Sequence, residues 1–398
     1  MSDQVMEIKR CRSCYHETFR EIIDLGPQFI INFGDKEPIK TPVVLLMCEK
    51  CKLVQLRHHV DPDLLYKHFY YKSGVNQTMR DELKDIVNSA LEFVNPVTGD
   101  TVIDIGSNDG TLLSFYPPYL NKIGYEPAEN LCTAENYPDA MVVNGYFDDH
   151  WGPQQAKIIT AIAMFYDLQD PNMFMNSVKN YLHPDGVFVV QMNYLVKMIE
   201  NLAVDNVLIE HACYYTLTTL QWLLDRVDMT IFRAELNTIN GGSIRVYIKH
   251  RQCTKYPVGP EVDIIKNYVE PKYARKVVYI EFKVKLDRLR DEIYSFIKAH
   301  GPVWAYGAST RGNTMLQIFG IDNSMVTAVA DRNPLKNGTT MVGTNIPVKT
   351  EEEWRGQNPP YTLVLPWYFF DSEFKQREHA YLDGGGKFIV PLPTFRII

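Results

Sequence analysis

Four of the seven cysteines in this 398-residue chain fall into two C-x-x-C units, Cys11-Arg-Ser-Cys14 and Cys48-Glu-Lys-Cys51. A fold of the first 51 residues that uses them must bring all four together. In a reducing compartment such pairs point to a metal rather than to disulfides. Four thiolates are the donor set of tetrahedral structural zinc, and they leave no open coordination position. The spacing therefore predicts one closed Zn²⁺ site on Cys11, Cys14, Cys48 and Cys51, structural and not catalytic. Thirty-three residues separate the two units, which leaves room for a strand or loop, such as Leu25 to Gly34, between two knuckles.

Beyond this module, which is expected to end near residue 75 after the aromatic stretch Tyr66 to Gly74, the pattern changes. Leu83, Ile86, Val87, Ala90, Leu91 and Val94 repeat at helical spacing. Apolar strand candidates follow at Thr101–Ile105, Lys122–Pro127, Ala140–Asn144, Ala156–Ala163 and Gly186–Gln191, and a later one at Ile244–Lys249. Strands alternating with helical segments predict a doubly wound α/β sheet over 76–255. A charged stretch from about 261 to 300, with an apolar stripe at Leu286, Leu289, Ile293 and Phe296, predicts a long joining helix. A second α/β domain is expected within 256–398, with strands at Pro302–Tyr306, Met325–Asp331, Tyr361–Leu365 and Lys387–Pro391.

Composition narrows the classes. Hydrophobic residues make up 45% and charged residues 22%, so the chain is not a disordered or fibrous sequence. Lys+Arg 41 against Asp+Glu 48 gives a net charge of −7, the wrong sign for a nucleic-acid partner. No apolar run approaches the ~20 residues of a membrane span. Met1 to Arg12 is polar and charged, unlike a secretory signal, so a cytoplasmic location is expected.

Two glycine turns carry the chemistry. Val102-Ile-Asp-Ile-Gly-Ser-Asn-Asp-Gly110 reads as strand, tight turn and helix start, and Glu126 ends the next strand, where carboxylates hold ribose hydroxyls. Asp109 would repel a phosphate but suits a cationic, phosphate-free nucleoside such as S-adenosylmethionine. Gly307-Ala-Ser-Thr-Arg-Gly-Asn-Thr314 has Asn313 where an NTP-hydrolysing loop needs lysine. Its backbone amides and Arg311 still suit a diphosphate at a helix N-terminus, with Asp331 in reach of a ribose. Neither turn reads G-x-G-x-x-G, which weighs against a nicotinamide cofactor.

Taken in order, several motifs resemble the sugar C-methyltransferase family along essentially the whole chain. They are the two C-x-x-C units, Ile105-Gly-Ser-Asn-Asp-Gly110, Phe165-Tyr-Asp-Leu-Gln-Asp-Pro171, Glu210-His211 followed by Tyr214-Tyr215, Tyr306 to Thr314, Asp331-Arg-Asn-Pro334 and Phe388-Ile-Val-Pro-Leu-Pro393. The resemblance implies an N-terminal zinc module, a class I Rossmann-like domain binding S-adenosylmethionine, and a C-terminal nucleotide-binding-like domain that holds a nucleotide-linked sugar. It implies cofactor contacts from Gly106, Ser107, Asn108, Asp109, Gly110, Glu126, Phe147 and Met164. It makes His211 the general base, with Glu210 beside it to orient it or raise its basicity, and Tyr71 and Tyr214 as hydroxyl donors. Substrate contacts are expected from Asn193, Tyr215, Ser309, Thr310, Arg311, Asn313, Asp331 and Arg332. Leu208 and Ile209 are apolar where the family carries polar residues, and Asp167 stands where many members have histidine. Methylation of oxygen, nitrogen or carbon on another small metabolite therefore stays open, as does a non-catalytic zinc and nucleotide-binding scaffold.

Overall fold

The computed structural model describes residues 4–30, 39–67, 71–147 and 155–398. Residues 31–34 of the expected inter-knuckle segment and 68–70 of the aromatic stretch lie outside them.

Among the described residues the N-terminal module is built on strands β1 (Val5–Glu7), β2 (Phe19–Phe29), β3 (Lys40–Cys48), β4 (Val54–Leu56) and β5 (His58–Val60). β2 and β3 form a long antiparallel pair that carries Cys48 at its end, opposite Phe19. β4 pairs antiparallel with β3. The other edge of β4 is closed by β11 (Cys213–Tyr214), two residues from the middle of the chain, with Cys213 opposite Gln55 and Tyr214 opposite Val54. The sheet thus crosses the boundary expected near residue 75. An exposed edge strand leaves unpaired N–H and C=O groups, and β11 supplies partners for those of β4.

The middle domain holds strands β6 (Thr101–Ile105), β7 (Asn121–Glu126), β8 (Met141–Asn144), β9 (Ala156–Ile162), β10 (Leu182–Asn193), β12 (Met229–Asn237) and β13 (Ser243–His250), in the order β12-β13-β10-β9-β6-β7-β8. The run from β10 to β8 is parallel, and β13 enters antiparallel between β10 and β12. β12 was not among the sequence candidates. Its charged Arg233 and Glu235 interrupt the apolar run, and its edge position accommodates them. The helix Gln77–Val94 starts where the Asn76 side chain accepts the Met79 N–H. It buries Leu83, Ile86, Val87, Ala90 and Val94 in one core cluster with Val102, Ile158 and Val189.

The expected joining helix is broken. A short helix Pro260–Ile264 passes through a wider turn and a 3-10 turn, Glu270–Ala274, before the 25-residue helix Lys276–His300. Pro271 lacks the N–H that a continuous helix would need. Glu270 is also pulled into the middle domain, where it accepts from Leu217 N (2.6 Å), Thr218 N (2.9 Å), Thr218 Oγ1 (2.6 Å) and Tyr194 OH (2.8 Å). The four expected strands beyond it become β14 (Val303–Tyr306), β15 (Val326–Asp331), β17 (Tyr361–Val364) and β18 (Lys387–Val390). With β16 (Val348–Thr350) and β19 (Arg396–Ile397) they form a second sheet, β16-β15-β14-β17-β18-β19, antiparallel only at β19.

Candidate active site and metal centre

The two C-x-x-C units fold into matching knuckles. Tyr15 N donates to Cys11 O and Lys52 N to Cys48 O, and both donors have positive φ, 60° and 64°. The four sulfurs lie within 4.8 Å of one another, all buried. Cys11 and Cys51 are 3.6 Å apart and Cys14 and Cys48 3.5 Å. Thiolates at the corners of a zinc tetrahedron are about 3.8 Å apart, given ~2.3 Å bonds, so the cluster fits the ion with little movement. Hydrogen bonds from the neighbouring Cys48 and Cys51 thiols hold Cys11 far below its ordinary pKa, and its contacts with Cys11 and Cys48 push Cys51 up. Gln55 Nε2 also donates to Cys11 Sγ at 3.2 Å. Arg12, inside the first knuckle, donates to Leu56 O (2.7 Å) and to Gln169 of the middle domain (3.1 Å), and its own carbonyl accepts from Asn172 (2.6 Å). The metal module is thereby fastened to the domain beside it.

The first glycine turn leaves β6 with Gly106, Asn108 and Gly110 at positive φ. A Cβ on Gly110 would lie 2.4 Å from the Asn136 carbonyl oxygen, and one on Gly106 would lie 3.1 Å from Met164 Cγ. Met164 therefore covers the turn. Glu126, at the end of β7, accepts from Asn108 N (2.7 Å) and Ala128 N (2.9 Å), while burial raises its pKa. Asp109 accepts from Gly74 N (2.9 Å) and Thr111 Oγ1 (2.6 Å), and Asn108 Oδ1 from Ser73 N (2.9 Å). These two side chains pin the Tyr71–Gly74 segment across the turn. Ser107 Oγ bonds Tyr137 OH at 2.8 Å. Phe147 packs in the core, edge-on to Tyr125 and against Phe174 and Tyr181. Two residues of this region escaped the sequence reading. Tyr137 OH donates to Asn108 O at 2.6 Å. Asp104 accepts from Thr160 Oγ1 at 2.6 Å, and burial pushes its carboxyl up to about 7. A carboxylate inside the apolar run Val102-Ile-Asp-Ile was the available signal for Asp104.

His211 lies against Tyr166, which follows β9, at the same C-terminal end of the parallel strands as the glycine turn after β6. Its Nδ1 is 2.8 Å from Asn206 O. A carbonyl only accepts, so Nδ1 carries the proton and Nε2 is the basic nitrogen. The ring lies against Tyr166, centroids 4.4 Å apart. Burial, helped by the Arg311 charge, pushes its pKa down to about 3. The orienting partner is thus the Asn206 carbonyl, whereas Glu210 was expected in that place. Burial pushes the Glu210 carboxyl up to about 7, and its backbone carbonyl accepts from Tyr66 OH at 3.3 Å. Tyr214 OH also points to Asn206 O (3.4 Å), and Asn193 Nδ2 donates to Asn206 Oδ1 (2.9 Å). Tyr215 is fully buried against Phe165. Tyr71 is half exposed, and its carbonyl accepts from Asn108 Nδ2.

From the C-terminal domain, Ser309 caps the helix Thr310–Phe319 by accepting Gly312 N (3.0 Å). Thr310 lines a narrow space with Leu208, Ile209 and Glu210 of the middle domain and Phe29 and Thr41 of the metal module. Glu210 therefore sits where the three modules meet. Arg311 Nη2 lies 2.6 Å from Asp205 Oδ2. Asn313 is buried and donates to Val342 O (3.1 Å). Asp331 accepts from Asn333 N (2.8 Å) and faces Lys336 Nζ (3.4 Å), while Arg332 lies 3.5 Å from Glu373.

Family models match the chain in the same order as these three modules: a zinc binding domain over 11–66, a methyltransferase domain over 75–233 and the C-methyltransferase C-terminal domain over 238–393. The chain carries the three modules of a methyltransferase. The methyltransferase is 27% identical over 416 residues to the C-methyltransferase NovU of Streptomyces niveus, covering 100% of this chain and 99% of NovU. Solved structures similar to it include the plantazolicin methyltransferase BpumL in complex with SAH, 14% identical with a TM-score of 0.35 over 42% of this chain and 82% of that one. Another is an S-adenosylmethionine-dependent methyltransferase from Clostridium acetobutylicum, 12% identical with a TM-score of 0.35 over 43% and 91%. S-adenosylmethionine is the methyl donor of such a methyltransferase domain, and the four-cysteine cluster is fitted to structural zinc. Among the described residues no helix is long and apolar enough to cross a membrane.

The Gly110 geometry makes one test direct. Gly110→Ala meets both a backbone oxygen at 2.4 Å and a φ of 71°. It should cost roughly 1–3 kcal/mol of stability, read as a lowered denaturation midpoint. A midpoint at the wild-type value would show that the turn relaxes freely.

Proposed function

We propose that this methyltransferase moves a methyl group to a carbon of a nucleotide-linked ketosugar, with His211 as the general base, in the cytoplasm. The carrying observation is the state of His211, neutral and held by Nδ1 to Asn206 O, at the same end of the parallel strands as the glycine turn. Similarity to NovU and to the C-methyltransferase C-terminal domain supports carbon as the acceptor.

Bound against Gly106–Gly110, with Glu126 toward the ribose, S-adenosylmethionine supplies an electrophilic methyl on a sulfonium leaving group. The residues of the chain then have one proton to move. His211 Nε2 takes the proton from the carbon beside the ketone, and the enolate carbon so formed accepts the methyl. Tyr71 and Tyr214, the latter on leaving the Asn206 carbonyl, are the hydroxyls that donate to the enolate oxygen in this reading. The α-carbon loses a proton and gains a methyl, and His211 passes its proton to solvent. Ser309, Thr310, Asn313, Asp331 and Arg332 surround the C-terminal turn proposed for the nucleotide. Leu208 and Ile209, apolar at the junction, favour a second reading, methylation of a less polar metabolite at oxygen or nitrogen.

Thermal denaturation with SAH alone, and with SAH plus nucleotide diphosphates and nucleotide sugars, separates the two readings. A ligand that binds only the folded state raises the midpoint by mass action. A further rise with a nucleotide sugar is expected; no rise with any of them favours the second reading. In the same assay format, Glu126→Ala should weaken SAH by roughly 1–3 kcal/mol, the loss of charged hydrogen bonds. Unchanged affinity by calorimetry would remove Glu126 from the cofactor site.

A further inference from the structure

Arg311 belongs to the C-terminal domain, yet the carboxylate it meets is in the middle one. It is the second residue of the helix Thr310–Phe319, and only about a tenth of its side chain is exposed (11%). Nη2 lies 2.6 Å from Asp205 Oδ2, and Nη1 donates to Asn240 O at 2.8 Å. The guanidinium stacks 4.2 Å from the ring centre of Tyr368. Trp367 Nε1 donates to the same Asp205 oxygen at 3.2 Å. Two donors of one domain thus converge on one wholly buried carboxylate of the other.

Asp205 sits in the single turn Val204–Asn206. The next residue is Asn206, whose carbonyl takes the His211 Nδ1 proton. The turn is held as one unit by Asn206 N donating to Ala203 O (3.1 Å) and Val207 N to Val204 O (2.8 Å), so the Arg311 ion pair on Asp205 bears on the orientation of the Asn206 carbonyl. Asn193 holds the Asn206 side chain from the other side at 2.9 Å.

We propose that Arg311 is a positioning residue for His211, acting across the domain boundary through Asp205 and the Asn206 carbonyl. This rests on the reading of His211 as the base. It makes the C-terminal domain part of the proton-transfer apparatus as well as a substrate platform: with Arg311 docked, the imidazole presents Nε2; undocked, the Val204–Asn206 turn loses its anchor on Asp205, the carbonyl shifts and the two tautomers interchange. Tyr166 packs on the imidazole, Tyr214 shares its Asn206 carbonyl, and the Arg311 charge opposes its protonation, so removal of Arg311 also removes that opposition.

The test is nuclear magnetic resonance of the full zinc-loaded chain with isotope-labelled histidine, the His211 signal being assigned by its loss in His211→Ala. Wild type should show one tautomer, Nδ1–H. Arg311→Met should lose that single signal to a mixture and start to protonate at higher pH, with SAH affinity unchanged. Arg311→Lys, which keeps the charge on Asp205 but gives up the bond to Asn240, should fall between the two. Should Arg311→Met fail to fold by circular dichroism, Asp205→Asn breaks the same link and should give the same mixture. A folded Arg311→Met or Asp205→Asn chain with the wild-type His211 signal overturns the proposal. If the signal responds while His211→Ala keeps its turnover, the coupling stands and the base assignment falls.

Discussion

His211→Ala lowers turnover roughly 10²–10⁴-fold, the usual contribution of a general base, while SAH binds as in wild type. The turn proposed for the cofactor, Gly106–Gly110, is covered by Met164 and held by Glu126, none of which bonds to the imidazole, so binding and proton transfer separate in the measurement. The pH dependence has a definite sign. An imidazole with a folded pKa of about 3 stays neutral through the range where an ordinary histidine titrates, near ~6.5. The rate therefore shows no acid limb at that point from His211. Stability does respond. Between about 6.5 and 3 the unfolded chain binds the proton and the folded one does not, so folding loses up to ~1.4 kcal/mol per pH unit as pH falls. Glu210, raised to about 7, acts in the opposite direction: its folded-state proton stabilises below about 4.5, and that contribution is lost as pH rises to 7. Comparing wild type with His211→Ala from pH 5 to 6.5 isolates the histidine slope. A variant that keeps most of its turnover would move proton removal to Tyr71, Tyr214 or the substrate itself.

Removal of zinc has the largest effect on stability. Structural zinc sites contribute apparent free energies on the order of 10 kcal/mol at neutral pH. A loss of even ~5 kcal/mol lowers a melting temperature by roughly 10–20 °C in a domain of moderate size. Chelation, or Cys48→Ser, should do at least this, with stoichiometric metal in the untreated protein by elemental analysis. Activity should fall as well. Gln55 donates to Cys11 Sγ and lies opposite Cys213 in the β4–β11 pairing, two residues from His211. A Cys48→Ser chain that retains metal, melting point and turnover would exclude this arrangement.

Much of this was legible because it was local. Two C-x-x-C units encode two knuckles within four residues each. The stripe from Leu83 to Val94 encodes a helix through its own period. Val102 to Gly110 encodes a strand and a turn that only small or left-handed residues can make. Each pattern is complete within about a dozen residues, and so is the reading of it. Asp331 ends a strand as Glu126 does, and Lys336, five residues on, sits 3.4 Å from it, whereas Glu126 accepts the Asn108 amide of the first glycine turn.

What remained hidden depends on pairing across long separations. Cys213 and Tyr214 carry no strand pattern of their own, and become a strand only because β4, more than 150 residues earlier in the chain, has an open edge. Glu270 reads as one more charge in a charged stretch, yet it holds the first turn of the helix Leu217–Asp225. Arg311 reads as a phosphate ligand beside a glycine turn, and its partner proves to be Asp205. The sequence alone determined the three modules, the metal donors and the residue types at the reaction edge, since short-range sterics and side-chain chemistry suffice for these. Only the tertiary structure decided which carboxylate meets which cation and which carbonyl orients His211, because a buried charge or polar hydrogen takes the partner that packing brings to it.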